Sequence, residues 1–308
     1  MLLVLVAVSF IVYFIFIVIP GGDPAQRIAG KVATHANILA IRQKLGLDKS
    51  FIVQWYDLVK ALFTAKLVSY SNQTNVVDQI KQGLPATFSL AIGAGIIWFG
   101  FGVLVGTISA VTAGRFSDRA ITALALIGIS MPVAWLGLIL RFFLAGDGGS
   151  GVSWFPDGSY VPLTSNPAQW FYHLILPWFT LAVLFIGFYG RVLRSNILDT
   201  INEDFVRTAK AKGLSTRRIL IKHVLRASLI PIVTLFGLDF ASVRGGGAII
   251  TETVYNLHGV GWYAAQSVGD LDLPPIMGVT LYGAFFIVFF SAIVDLLYAY
   301  LDPRIRPT

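Results

Sequence analysis

Not one cysteine occurs in the 308 residues, so the chain can hold no disulfide staple and no cysteine-built zinc or iron–sulfur site. Charge is scarce as well: Asp, Glu, Lys and Arg together make up 13%, against roughly a quarter in soluble globular proteins. The four histidines, His35, His173, His223 and His258, are scattered. None falls at the i, i+4 spacing that aims two imidazoles at one metal, so each is expected to be interfacial or hydrogen-bonded. Neither a G-x-S-x-G elbow nor a G-x4-G-K-[ST] loop is present, which removes the usual nucleophile and nucleotide signatures. The Gly-rich stretch 146–151 lacks the lysine of a phosphate loop and is expected to be a turn. There is no repeat period of 20–50 residues. A catalytic role therefore has no residues to rest on, and no cofactor or metal is expected to be bound by this chain.

Apolar residues, by contrast, are abundant at 56%, with a mean hydropathy of +0.75. This composition defines an all-α integral membrane protein, each span needing about 20 residues at 1.5 Å rise. Six transmembrane helices are expected, at residues 2–19, 86–111, 120–144, 170–189, 228–250 and 276–301. The corresponding division is a first helix at 1–19, an extracytoplasmic helical insertion at 20–85, a core membrane domain at 86–301 and a tail at 302–308. Within the insertion, apolar spacing predicts two amphipathic helices at 37–45 and 47–67, joined at Gly46.

The net charge of +7 is explained by orientation rather than by nucleic acid. Arg115 and Arg119 in 113–119, the basic residues of 190–227, and Arg304 and Arg306 all fall on one side of a six-span chain. The opposite short loops, 145–169 and 251–275, contain no Lys or Arg, while the insertion at 20–85 carries scattered basic residues from Arg27 to Lys81 but is at the length where loop charge stops controlling topology. The positive-inside rule makes the first set, and both termini, cytoplasmic. The first span begins at Met1 without a preceding basic residue and without a cleavage-site pattern, so it is expected to stay uncleaved and the natural start to lie upstream.

Four charges fall within spans, where each costs several kcal/mol: Arg141, Asp239, Arg244 and Asp295. Arg141 and Asp295 sit near helix ends, where snorkelling or capping accounts for them. Asp239 and Arg244 lie deep in the fifth span, just before Gly245, Gly246 and Gly247. They form either a structural ion pair or part of a polar translocation path.

The longest polar break in the membrane-embedded half is 203–231, with Arg207, Lys210, Lys212, Arg217, Arg218, Lys222 and Arg226 against Glu203 and Asp204. A helix over 204–212 is expected to end at Gly213, with Ser215 capping the next helix, which feeds into the fifth span. That is an elbow, at 203–226. Charge alone is equally satisfied by a lipid-contacting loop.

The stretch DFVRTAKAKGLSTRRILIKHVLRASLIPIV at 204–233 resembles the EAA loop of permease subunits of ABC importers, in the form of the dipeptide/oligopeptide/nickel branch. PGGDPA at 20–25, LGLD at 45–48, ISMPVAWLGL at 129–138, GGAIITETVY at 246–255 and VDLLYAYLDPRIR at 294–306 agree in order along nearly the whole chain. The resemblance implies a type I ABC importer permease fold and a non-enzymatic subunit in a bacterial plasma (inner) membrane. Its implied partners are a second homologous permease, two ATPase subunits or domains carrying ATP and magnesium, and an extracytoplasmic substrate-binding protein, with peptides as cargo. By position, Arg207, Thr208 and Ala209 fall on the EAA triplet and Gly213 on its glycine, so that Lys212, Leu214, Ser215, Arg217 and Arg218 join them as ATPase-coupling residues. Arg207 stands for the general Glu, and Arg226 stands where many relatives carry a proline that here appears at Pro231; both substitutions suit the peptide branch. Asn256, His258 and Trp262 of the outer loop are expected to touch the binding protein. An ATPase-independent secondary transporter or channel is the alternative, but it has no need of an elbow and would carry matched broken helices.

Overall fold

The computed structural model describes residues 2–18, 24–29, 34–146, 153–243 and 248–301. Among these residues helix is the only extended regular structure, with isolated bridges at Val68–Asn75 and Ala145–Phe155 and with turns and loops between the helices. In chain order the helices are α1 Leu2–Val18, α2 Pro24–Ala29, α3 His35–Lys44, α4 Phe51–Phe63, α5 Val76–Val111, α6 Phe116–Ser130, α7 Val133–Leu144, α8 Pro167–Thr200, α9 Asp204–Ala211, α10 Thr216–Ile219, α11 Leu225–Ser242, α12 Ile249–Val254, α13 Val260–Gly269 and α14 Leu273–Leu301.

Among the described residues, four stretches are long and apolar enough to cross a bilayer: Val76–Val111, Pro167–Thr200, Thr216–Ser242 and Leu273–Val294. The second expected span begins ten residues earlier than hydropathy suggests, because Asn75 caps α5 through Val77 N and Asp78 N and the helix runs on through Pro85. The third, expected as one helix at 120–144, is broken: α6 and α7 meet at 100°. Pro132 has no N–H to donate and forces Met131 into an extended conformation, φ −80° and ψ 123°. Counted as one span, the pair makes a fifth; α1, at 17 apolar residues, is shorter than the others.

Contacts fix the directions of these helices. Ser89 meets Trp170, Trp98 stacks on Phe185 and Gly106 faces Gly190, so α5 and α8 run parallel. Asp118 pairs with Arg194 and Gly128 faces Val183, so α6 runs antiparallel to α8. The chain leaves α5 at one end and enters α8 at the other, so α6 and α7 together make the return. Antiparallel contacts also join α11 to α8, through Ser228–Asn196 and Asp239–Tyr189, and α14 to α11, through Gly237–Val294.

The tightest seam is α5 against α8. Gly102 and Gly106, spaced Gly-x-x-x-Gly, let the backbones approach: a Cβ on Gly106 would stand 2.8 Å from Gly190 O, and one on Gly102 2.7 Å from Tyr189 Cβ. Between helices already surrounded by apolar groups, such close packing is the main attraction available. Trp98, fully buried, lies against Phe185, Phe236 and Phe240, joining α5, α8 and α11 into one core.

The insertion contains α3 and α4, with Gly46 at φ +68° between them. It is tied to the helices beneath it by specific polar contacts. Tyr13 donates to Gln54 at 3.0 Å, Trp55 to Ser9 at 3.2 Å, and Asp272 at the start of α14 accepts from Ser69 Oγ, Tyr70 N and Ser71 N. This cap lies at the end where α5, α8 and α14 begin. The basic stretches gather at the other end, where Arg194 of α8 grips Asp118 of α6.

Candidate functional site: the basic elbow and the outer loop

At the end of α8 the chain turns through 201–203 into α9, then through 212–215 into α10, a five-residue π turn Leu220–Val224 and α11. α9 closes as expected. Lys212 is its C-cap, Gly213 takes φ +74°, and Gly213 N and Leu214 N bond back to Lys210 O and Ala209 O at 2.9 and 3.3 Å. Ser215 has the extended backbone of an N-cap and its carbonyl accepts from Ile219 N, but its hydroxyl makes no capping bond.

The elbow has two faces. Val206, Ala209, Ile219 and Val224 are buried in the main core alongside Leu193 and Ile197. Arg207, Thr208, Lys210, Lys212, Gly213, Ser215, Arg217 and Arg218 are exposed, and Leu214 is half-buried. Among the residues expected to couple, Ala209 thus seats the helix instead of presenting a surface. The only ion pair on the outer face among the described residues is Arg207–Asp204 at 3.4 Å, in water and therefore weak. The limbs are clamped where they leave the spans: Ser228 Oγ donates to Asn196 O at 3.2 Å and to Thr200 Oγ1 at 3.1 Å, and Asn196 Nδ2 to Ser228 O at 3.4 Å. These bonds join the last turns of α8 to the first turn of α11.

Within the spans, Asp239 accepts from Tyr189 Oη at 2.7 Å. This is a partner that sequence could not supply, lying fifty residues away on α8. Arg244 and the glycines 245–247 lie outside the described residues, as does the side chain of Asp295. Arg141 donates to Val254 O at 2.7 Å, so it caps the C-terminal end of α12 from α7.

The outer loop is built around a buried carboxylate. Glu252 is fully buried and accepts from Thr87 Oγ1 at 2.7 Å and Trp262 N at 2.9 Å, while Thr87 Oγ1 in turn accepts from Val260 N at 2.9 Å. Burial pushes its carboxyl up to about 7, although these bonds favour the charged form. The knot pins α12 and α13 to α5, and Gly259 and Gly261 leave room for it: a Cβ on Gly259 would stand 2.2 Å from Glu252 Oε2. On the surface so held, Asn256 and His258 are exposed with φ of +49° and +51°, and the His258 ring lies 4.4 Å from that of Trp262, which is half-buried. The structure therefore brings these three expected contact residues together, and Leu257 between them is buried.

An all-helical membrane domain with parallel α5 and α8, a broken third span and a basic elbow is the architecture of a type I ABC importer permease. A structure of the MetNI methionine ABC transporter in an inward-facing conformation aligns over 73% of this chain and 97% of its own, with a TM-score of 0.56 at 17% identity, a likeness of fold alone. The chain belongs to the family described as binding-protein-dependent transport system inner membrane component, which it matches over residues 102–307, with the family's N-terminal component matched over 1–91. It is 36% identical to a probable peptide ABC transporter permease protein of Sinorhizobium fredii, over 95% of this chain and 92% of that protein. It is also 36% identical to a probable D,D-dipeptide transport system permease protein of Escherichia coli, over 99% and 94%. A glutathione transport system permease protein of Salmonella choleraesuis is 35% identical, over 96% and 93%. The chain is a membrane permease component of an ABC importer, with relatives named for peptide transport.

Proposed function

We propose that this permease forms half of a translocation path for peptides, dipeptides or oligopeptides, in a bacterial plasma membrane, and that a second homologous permease subunit forms the other half. An extracytoplasmic binding protein delivers the peptide to the outer loop at Asn256, His258 and Trp262. Two ATPase subunits or domains grip the elbows from the cytoplasm, where both termini also lie, and they supply the ATP and magnesium chemistry.

The observation that carries the proposal is the two-faced elbow: one face buried in the core, the other exposing Arg207, Lys210, Lys212, Arg217 and Arg218. ATP-driven approach of the ATPases would draw two such elbows together, and the clamp at Asn196, Thr200 and Ser228 would pass that motion into α8 and α11. Tyr189 and Asp239 face each other between those two helices, where a moving path would have its polar lining. The relatives named for peptide transport support peptides as cargo.

Affinity purification of the tagged chain from its native host tests this. Recovery of a second permease and two ATPase domains per particle is expected, with peptide uptake dependent on ATP. A lone oligomer of this chain that moves solute without ATP would contradict it.

A further inference from the structure

A cleft of about 590 Å³ opens between α6 and α8 at the elbow end of the spans. Asp118, Arg119, Thr122, Ala123, Leu126, Arg191, Arg194 and Ser195 form its wall. Three of these are arginines and one is an acid. That acid is already spent: Asp118 takes Arg194 in a two-pronged pair at 2.7 and 2.8 Å, with Ser109 and Gly114 N as further donors. Arg119 and Arg191 remain, exposed at the mouth and in no ion pair among the described residues, beside the hydroxyls of Thr122 and Ser195.

We infer that this cleft binds the phosphodiester headgroup of an anionic phospholipid, with Arg119 and Arg191 as its clamp. A guanidinium presents paired donors that match phosphate oxygens, and two of them without acidic competition favour an anion strongly. The rest of the wall specifies a lipid. Ala123 and Leu126 continue the cleft along α6 toward Leu124 and Ile127, both well exposed, which gives an acyl chain an apolar track leading from the headgroup into the bilayer. The depth agrees, because the site occupies the first turns of a membrane helix at the end where the basic loops gather, the level of the headgroups. Neither the elbow nor the outer loop uses any of these residues, so the site goes beyond the transport function proposed above. A lipid seated here would lean on Arg194 and Asp118, which hold α6 to α8 just before α8 enters the elbow.

Native mass spectrometry of the full chain in detergent, titrated with phosphatidylglycerol or with zwitterionic phosphatidylethanolamine, tests the inference without requiring transport. At least a tenfold preference for phosphatidylglycerol is expected, lost in the double variant Arg119→Gln, Arg191→Gln. Both side chains are exposed, so the variant should fold. Ser195→Leu, which fills the cleft and keeps both arginines, should weaken retention in the same way and decides the matter if the double variant does not fold. Equal retention of both lipids, or a preference that survives in the folded variants, overturns the site. Displacement of phosphatidylglycerol by an equal concentration of glycerol 3-phosphate or inorganic phosphate overturns the lipid and leaves a soluble phosphate site.

Discussion

Glu252 and Gly213 act in opposite ways. At Glu252 the environment imposes the chemistry: with its carboxyl raised from 4.5 to about 7 by burial, the folded loop holds a proton that the unfolded loop releases. The stabilisation is complete below pH about 4.5 and is lost as pH rises through about 7. Once exchange rates are divided by the intrinsic base-catalysed rates at each pH, the amides over 249–269 should therefore be better protected at pH 5 than at pH 8, and Glu252→Gln should flatten that difference in protection. Glu252→Ala strands the Thr87 hydroxyl and Trp262 N–H and should cost about 1–3 kcal/mol, seen as a lower melting temperature in detergent. At Gly213 the residue imposes the geometry. An added Cβ there meets nothing within 4 Å, so only the φ of +74° resists substitution. Gly213→Val should cost about 1–2 kcal/mol locally, leaving the melting of the spans nearly unchanged while substrate-stimulated ATP hydrolysis by the assembled transporter falls severalfold.

Among the elements, short-range features were legible and long-range ones were not. The close of α9 at Gly213 and the turn at Gly46 follow from local backbone preference, so sequence locates them to within a residue or so. The break at Pro132 was equally local, yet hydropathy runs smoothly across it and conceals the 100° turn. Tyr189 with Asp239, and Thr87 with Glu252, unite residues 50 and 165 positions apart; no periodicity within one helix announces such a pair. The α5 seam had a readable signal in Gly102-x-x-x-Gly106, which hydropathy counts only as apolar. Gly106→Leu would drive a side chain into Gly190 O and should destabilise the α5–α8 pair by about 1–3 kcal/mol, again measured by melting in detergent.

The molecule as a whole is polarised. One end holds the cap, its tether at Asp272 and the loop pinned by Glu252; the other holds the arginine-rich turns and the elbow. Helices of 36 and 34 residues, about 54 and 51 Å long at 1.5 Å per residue, link the two ends directly, as the proposed transmission between them requires. The central claim is that this transmission runs through the exposed basic face of the elbow. It is tested most directly in proteoliposomes holding the complete transporter, by counting peptides imported per ATP hydrolysed for the parent and for Arg217→Glu, Arg218→Glu. Import per ATP should fall at least tenfold in the variant while the spans melt as in the parent; an unchanged ratio would contradict the account.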